Sequence, residues 1–431
     1  MIRRCRRLCF LLCVLAGISY LLFNASSTDE AKVKGGRLDN RHAHPLLFDK
    51  ERDLENASDD DHLDDDDEDS DDEKATEEDG AELSGSIVAP NPPIDPSQIT
   101  EEAIYEDNTK VHVLLLAYMR TGSSMTGRIL KMSRSGIFYW YEPLHMLERH
   151  FVTGGHPELP YRNKSLVEVF TWSSVAKGNV SALLRCDIEN VYKGALLDGF
   201  VTYSAQTQQF APCFETAKTT SAWRKCARDM TAACKKNYQA TAIKCIRLTL
   251  ERAVEVMMDD HKVKVIHLFR DPRAVLLSRH KLGYTKWRDL HNEATAVCAR
   301  MARDLEVTPT LTGPDLNERY AILRYEDITM SPNTAVQRLY DFMGIKPSEE
   351  EVSEAIDMIS EAKANLTSAQ VAQAWRQAIT LQDARIIADA CHDVMKNLGY
   401  RLDFADETEL KDLRVPAFGE PPPDFASHLL V

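Results

Sequence analysis

Arg120-Thr121-Gly122-Ser123-Ser124 is a short polar stretch whose residue types suit the capture of an anion. Gly122 lets the backbone approach a ligand closely, and Ser123 or Ser124 can cap a helix and also donate a hydroxyl. Arg120 brings a permanent positive charge with a planar fork of donors. A second stretch has the same character: Arg270-Asp271-Pro272, with Ser278 seven residues past Asp271 and so on the same helical face two turns on. Arg270 and Ser278 could hold a second anion there, or Arg270 could form a structural ion pair with Asp271 or Asp289. Glu142-Pro143 closes an aromatic run and leaves a carboxylate near the carboxyl end of the sheet.

These residues need elements to hold them. Val113 to Leu130 begins as an unbroken apolar run of strand length and continues with Met125, Ile129 and Met132 at helical spacing. A loop that ends a buried strand and opens a helix aims backbone N–H groups and the positive end of the helix dipole at one point. The rival reading is a nucleotide-triphosphate loop, since Gly122 and Gly127 have its spacing. Arg128 and Ile129 then stand where that motif needs Lys and a magnesium-binding hydroxyl. Ile137 to Tyr141 reads as the strand before Glu142, and Ala242 to Leu248 as another. Val263 to Phe269 reads as a strand ahead of Arg270, with Asp271 as N-cap and Pro272 as first helical residue. Further on, a helix is expected over Asn292 to Leu305 and a strand over Tyr320 to Tyr325. A helix starting at Ser331-Pro332 should end at Gly344, and Ser348 with Glu351 forms a capping box. Trp375 and Arg376 lie near a ligand or simply pack. About 300 residues, 105 to 404, suffice for one large α/β domain with a central parallel sheet flanked by helices. Residues 145 to 240 read as a variable, substrate-facing insertion.

The flanking segments set the compartment. After Arg3, Arg4, Arg6 and Arg7 (a tail of residues 1–7), residues 8–23 are apolar. That reads as a signal anchor with a cytosolic amino terminus, a cleaved signal peptide ending near Ala25 to Ser27 being the alternative. Cys5, Cys9 and Cys13 are palmitoylation candidates. Residues 24–104 form a stem. Within it, residues 51–80 carry 18 acidic side chains against Arg52 and Lys74, a net charge of −16 in a chain whose total is −15, so the remainder is close to neutral. Such a segment is expected to be an extended, disordered tether, and no nucleic-acid partner is expected of the rest. Sequons at Asn56, Asn163, Asn179 and Asn365 fit a secretory lumen. Seven cysteines follow the stem, enough for three bridges with one left over, and none has the close CxxC spacing of a zinc site. Residues 405–431, polar and then proline-rich, read as a disordered tail.

Two anion sites at two strand-helix junctions suggest one ligand with two separated phosphates. RTGSS after an apolar strand, with FRDPRAVLLSR about 150 residues later, resembles the phosphate-binding motifs of sulfotransferases that use PAPS (3′-phosphoadenylyl sulfate). The Golgi carbohydrate 6-O-sulfotransferases, acting on galactose, N-acetylgalactosamine or N-acetylglucosamine, are the most similar group. FYWYEPLH, IKCIRL, RYEDI, AWRQ and CHDVMKNLGY carry the likeness along the domain, with Met125 in place of the usual Phe.

The resemblance implies a sulfotransferase fold and roles for individual residues. Arg120, Thr121 and the amides of Gly122, Ser123, Ser124 and Met125 would take up charge on the 5′-phosphate, which needs no metal. Arg270 and Ser278 would hold the 3′-phosphate. Glu142 would be the general base, with His145 in reserve, and a glycan would be the acceptor. A Golgi glycosyltransferase is the second reading, disfavoured because Asp-x-Asp pairs occur only in the acidic stem. An inactive lumenal glycan-binding protein is the third, disfavoured by the intact Arg120, Ser124, Glu142, Arg270 and Ser278.

Overall fold

The structure, a computed structural model, describes residues 110–132, 136–152, 172–311, 313–360 and 367–431. Five short apolar segments form strands: β1 (Val111–Leu116), β2 (Ile137–Tyr141), β3 (Ala240–Cys245), β4 (Val263–Phe269) and β5 (Tyr320–Arg324). They make one all-parallel sheet in the order β2-β3-β1-β4-β5. Nearly every strand residue is buried, as a parallel sheet covered on both faces requires. Each fully buried leucine of Leu114 to Leu116 stabilises the sheet by about 1.5–3 kcal/mol relative to exposure. β2 and β4 have the limits read from the sequence. β3 starts two residues earlier than expected and stops at Cys245, so Lys244 lies inside the strand and Arg247 beyond it.

The helices that shape the site are α1 (Ser123–Met132), α2 (His145–Val152), α3 (Leu250–Asp259), α4 (Pro272–Lys281), α5 (Leu290–Val307), α6 (Tyr325–Met330) and α7 (Pro332–Met343). Alternation along β1 sends Leu114 and Leu116 to one face and Val113 and Leu115 to the other. Ile129 and Leu130 of α1 pack with Val336 and Leu339 of α7 against Val113 and Leu115. Ala253 and Val256 of α3, Ala274 and Leu276 of α4 and Met301 of α5 join the Leu114 and Leu116 side. The chain leaving β1 therefore turns to one face, and the chain leaving the adjacent β4 turns to the other. Open parallel sheets bind ligands in the crevice that such a reversal opens at the carboxyl ends of the strands.

Local signals elsewhere behave as the sequence indicated. Gly344 ends α7 in the left-handed conformation at φ 73°. The amide of Ser348 donates to Glu351 Oε2 at 2.8 Å, and the amide of Glu351 donates to Ser348 Oγ at 3.2 Å. Cys186–Cys234, Cys213–Cys226 and Cys298–Cys391 are disulfides, and buried Cys245 is left over.

Two expectations are corrected. The chain after Phe404 is packed: Leu410, Phe425 and Leu430 are buried, Ile322 donates to the His428 carbonyl at 2.7 Å, and Leu430 donates back to Ile322 at 2.9 Å. Sparse apolar residues hid this, because each finds its partner far away in sequence. Asn179 is also buried. Its side-chain amide donates to the Val175 carbonyl at 3.0 Å and its Oδ1 accepts from the Tyr192 amide at 2.7 Å, which removes it as a glycan acceptor in the folded protein. Residues 1–104, read from the sequence as tail, anchor and stem, lie outside the described residues, as do Asn56, Asn163 and Asn365.

Candidate active site

The turn after β1 is strained and polar. Arg120 has φ 70° and Gly122 φ 90°. A left-handed conformation at a non-glycine residue costs on the order of 1–3 kcal/mol and concentrates at functional sites. Thr121 is spent on the turn: its Oγ1 donates to the Tyr118 carbonyl at 2.8 Å, and its amide donates to the same oxygen at 3.2 Å. Both Thr121 donors are used within the loop. Gly122 is required twice over, since a Cβ there would sit 2.1 Å from the Tyr325 ring. Thr126 donates back to the Gly122 carbonyl at 3.1 Å, so the amides of Ser123, Ser124 and Met125 precede the intrahelical ladder of α1. The Met125 side chain packs into the apolar layer beside α1, which leaves its amide as the group facing the loop.

The turn after β4 is regular. Asp271 caps α4 by accepting from the Arg273 amide at 2.9 Å, and Pro272 takes the first helical position. The Asp271 carboxylate is occupied by Arg273, through Nε at 2.9 Å and Nη2 at 2.7 Å, and not by Arg270. Arg270 lies over the Tyr325 ring at 4.3 Å and donates through Nη1 to the Arg120 carbonyl at 3.4 Å. Its Nε is buried with no hydrogen-bond partner among the described residues, a costly condition that an anion would relieve. Ser278 meets the other turn: its Oγ accepts from Arg120 Nε at 3.0 Å. The two turns thus touch, joined by Arg120 to Ser278, by Arg270 to the Arg120 carbonyl and by Tyr325 between Gly122 and Arg270.

Glu142, at φ 43°, continues the β2 ladder by donating its amide to the Lys244 carbonyl at 3.0 Å. Its buried carboxylate accepts from Lys244 Nζ at 2.6 Å through Oε1 and from Arg247 Nη1 through Oε2. Burial alone would raise its pKa, but the Lys244 and Arg247 cations outweigh burial and hold it at about 2. Arg247 also donates to Glu148 Oε2 at 2.7 Å. Lys244 reaches Ser124 Oγ at 3.3 Å and the Tyr141 ring at 3.8 Å, while Ser124 Oγ lies 3.2 Å from the Tyr141 hydroxyl. His145 is oriented by Asp198, Nδ1 to Oδ2 at 2.9 Å, with its ring 4.8 Å from Phe200.

Behind the β4 turn, Glu326 accepts from the Asp271 amide at 3.0 Å and from the Tyr400 hydroxyl at 2.8 Å. Burial, with the neighbouring Asp271, pushes its carboxyl up to about 7. Arg273 stacks under Trp375 at 4.3 Å, and buried Arg376 donates to the carbonyls of Leu410, Glu409, Asp412 and Val415. Trp375 and Arg376 are therefore scaffold. The residues missed from sequence are Lys244 and Arg247. The available signal for Lys244 was a charge in the middle of a buried strand.

A family model described as "Sulfotransferase domain" matches residues 110–399. Carbohydrate sulfotransferase 3 of Tetronarce californica is 28% identical over 334 residues, covering 68% of this chain and 73% of that protein. Carbohydrate sulfotransferase 1 of Homo sapiens is 25% identical over 351 residues, covering 72% and 83% respectively. A solved structure titled as retinol dehydratase in complex with androsterone and inactive cofactor PAP aligns with a TM-score of 0.33 at 16% identity, over 70% of this chain and 86% of that one. The family match runs unbroken from before β1 through both turns to Gly399, and on that ground the chain belongs to the sulfotransferase family.

Proposed function

We propose that this sulfotransferase carries the sulfuryl group from PAPS to a carbohydrate hydroxyl, the 6-hydroxyl of galactose, N-acetylgalactosamine or N-acetylglucosamine on a glycoprotein or proteoglycan. The observation that carries the donor reading is the contact between the two strand-helix turns, Arg120 standing at one and Arg270 at the other and the two touching through Ser278 and the Arg120 carbonyl. One turn would receive the 5′-phosphosulfate and the other the 3′-phosphate, with the buried Arg270 Nε as a waiting donor. The glycan reading is supported by the carbohydrate sulfotransferases to which the chain is similar. The hydroxyl position rests on the resemblance of the motifs.

In the reaction the acceptor oxygen attacks sulfur in line as the bond from sulfur to the 5′-phosphate oxygen breaks. Arg120 and the first amides of α1 take up charge on the departing phosphate, and Glu142 takes the acceptor proton. His145, held by Asp198, is the second candidate for that proton. The lumen of the Golgi, reached through a single amino-terminal type II anchor, is the proposed setting. Three disulfides support an oxidising compartment.

The test is incubation with radiolabelled PAPS and a panel of desulfated glycans, with and without EDTA, followed by linkage analysis of the product. Chelator-resistant labelling at a sugar 6-hydroxyl is expected. No labelling of any glycan, or transfer of sugar from a nucleotide donor instead, would reject the reading.

A further inference from the structure

Glu142 poses a chemical difficulty: a carboxylate gripped by two cations is a weak proton acceptor. The two cations are not equivalent. Arg247 divides its guanidinium between Glu142 and Glu148 and keeps Glu148 as a partner whatever happens at the site. Lys244 is 2% exposed and sits on β3 between β2 and β1, and its contacts besides Glu142 are a neutral hydroxyl and a ring face. That hydroxyl belongs to Ser124, in the anion loop itself. A lysine is a compact charge on a flexible stem, so an ammonium 2.6 Å from Glu142 and 3.3 Å from Ser124 changes partners by rotation alone.

We infer that Lys244 is a shared cation, which passes from the Glu142 carboxylate to the sulfuryl-bearing end of the donor when the donor fills the loop at Arg120 to Ser124. This rests on the reading of the two turns as a PAPS site. Donor loading then does two things at once. It brings a positive charge onto the group being transferred, and it releases Glu142 to accept the acceptor's proton while the new oxygen–sulfur bond forms and the electron pair of the old one leaves with 3′-phosphoadenosine 5′-phosphate (PAP). The groups still facing Glu142 are Arg247, with its own partner Glu148 on α2, the Tyr139 hydroxyl on β2 and the Cys245 thiol on β3. Only one of these is a cation, and its charge is divided.

The test is calorimetric binding of PAPS, with no acceptor present, to the full chain in a double-mutant cycle. In the wild-type background, PAPS must break the contact between Lys244 and Glu142, so Glu142→Gln is expected to tighten PAPS binding about tenfold while turnover collapses. In a Lys244→Met background the same Glu142 substitution is expected to leave PAPS affinity nearly unchanged, because the cation that would have moved is gone. Equal tightening in both backgrounds would mean simple removal of a negative charge and would overturn the inference, as would no tightening at all. Should Glu142→Gln fail to fold, Glu142→Asp, which draws the carboxylate back by one methylene, takes its place in the cycle with the same two readings. Wild-type protein that fails to bind PAPS would reject the donor reading itself, a result distinct from a flat cycle on protein that does bind.

Discussion

The turns that follow β1 and β4 do the same topological job with opposite construction. After β1 the chain takes two left-handed residues, Arg120 and Gly122, and spends Thr121 on holding the bend. After β4 it runs straight from strand to capped helix, with the Asp271 carboxylate fully committed to Arg273. The β1 turn leans on a single ring, Tyr325, whereas the β4 turn is braced from the carboxyl-terminal part of the chain through Glu326, Tyr400, Trp375 and Arg376. On the proposed reading, the turn that must stabilise charge as it changes is the one built on strained backbone, and the turn that anchors a fixed charge is a regular capped helix start with the Arg270 Nε left as its donor.

The contrast can be broken from the scaffold side first. Deleting residues 405–431 strips Arg376 of four carbonyl acceptors and removes buried Leu410, Phe425 and Leu430. The expected outcome is loss of folded protein, read as absence of a monodisperse peak in size-exclusion chromatography; a folded truncated chain would show that the bracing is dispensable. Next in size is Arg120→Ala, expected to lower kcat/KM in the sulfuryl-transfer assay by about 10³ with little change in melting temperature. Arg270→Ala should weaken PAP binding by about 10² yet leave kcat at saturating donor nearly intact, which separates an anchor from a charge-stabilising group. If both variants lose kcat equally, the two turns are not doing different jobs.

The smallest expected effect is thermal and depends on pH. Glu326 binds its proton more tightly in the folded chain, at about 7 against an ordinary 4.5. The stability it contributes is therefore full below about 4.5 and lost as the pH rises through about 7. Glu326→Gln should remove that loss, so between pH 5 and pH 8 its melting temperature should fall by a few degrees less than that of the wild type. Parallel melting curves for the two proteins would contradict the assignment.

Much of this was legible in sequence where the signal is local. A glycine between an apolar strand and a helical repeat, an Asp-Pro helix start, Gly344 past a helix and the Ser348–Glu351 box each report on neighbours a few residues away. The odd cysteine was legible by counting. What stayed hidden depends on pairing across the fold. Lys244 meets Glu142 over a separation of 102 residues, and Ser278 meets Arg120 over 158. No spacing rule reaches that far, so Ser278 read as a partner of Arg270, and Lys244 read as one more strand residue.

The most direct measurement is a titration of PAP into the wild-type chain, Arg120→Ala and Arg270→Ala, followed by calorimetry. One molecule bound per chain, with affinity weakened by either substitution, is the expected result. Two molecules per chain, or wild-type affinity in Arg270→Ala, would contradict the claim that the two turns grip opposite ends of a single donor.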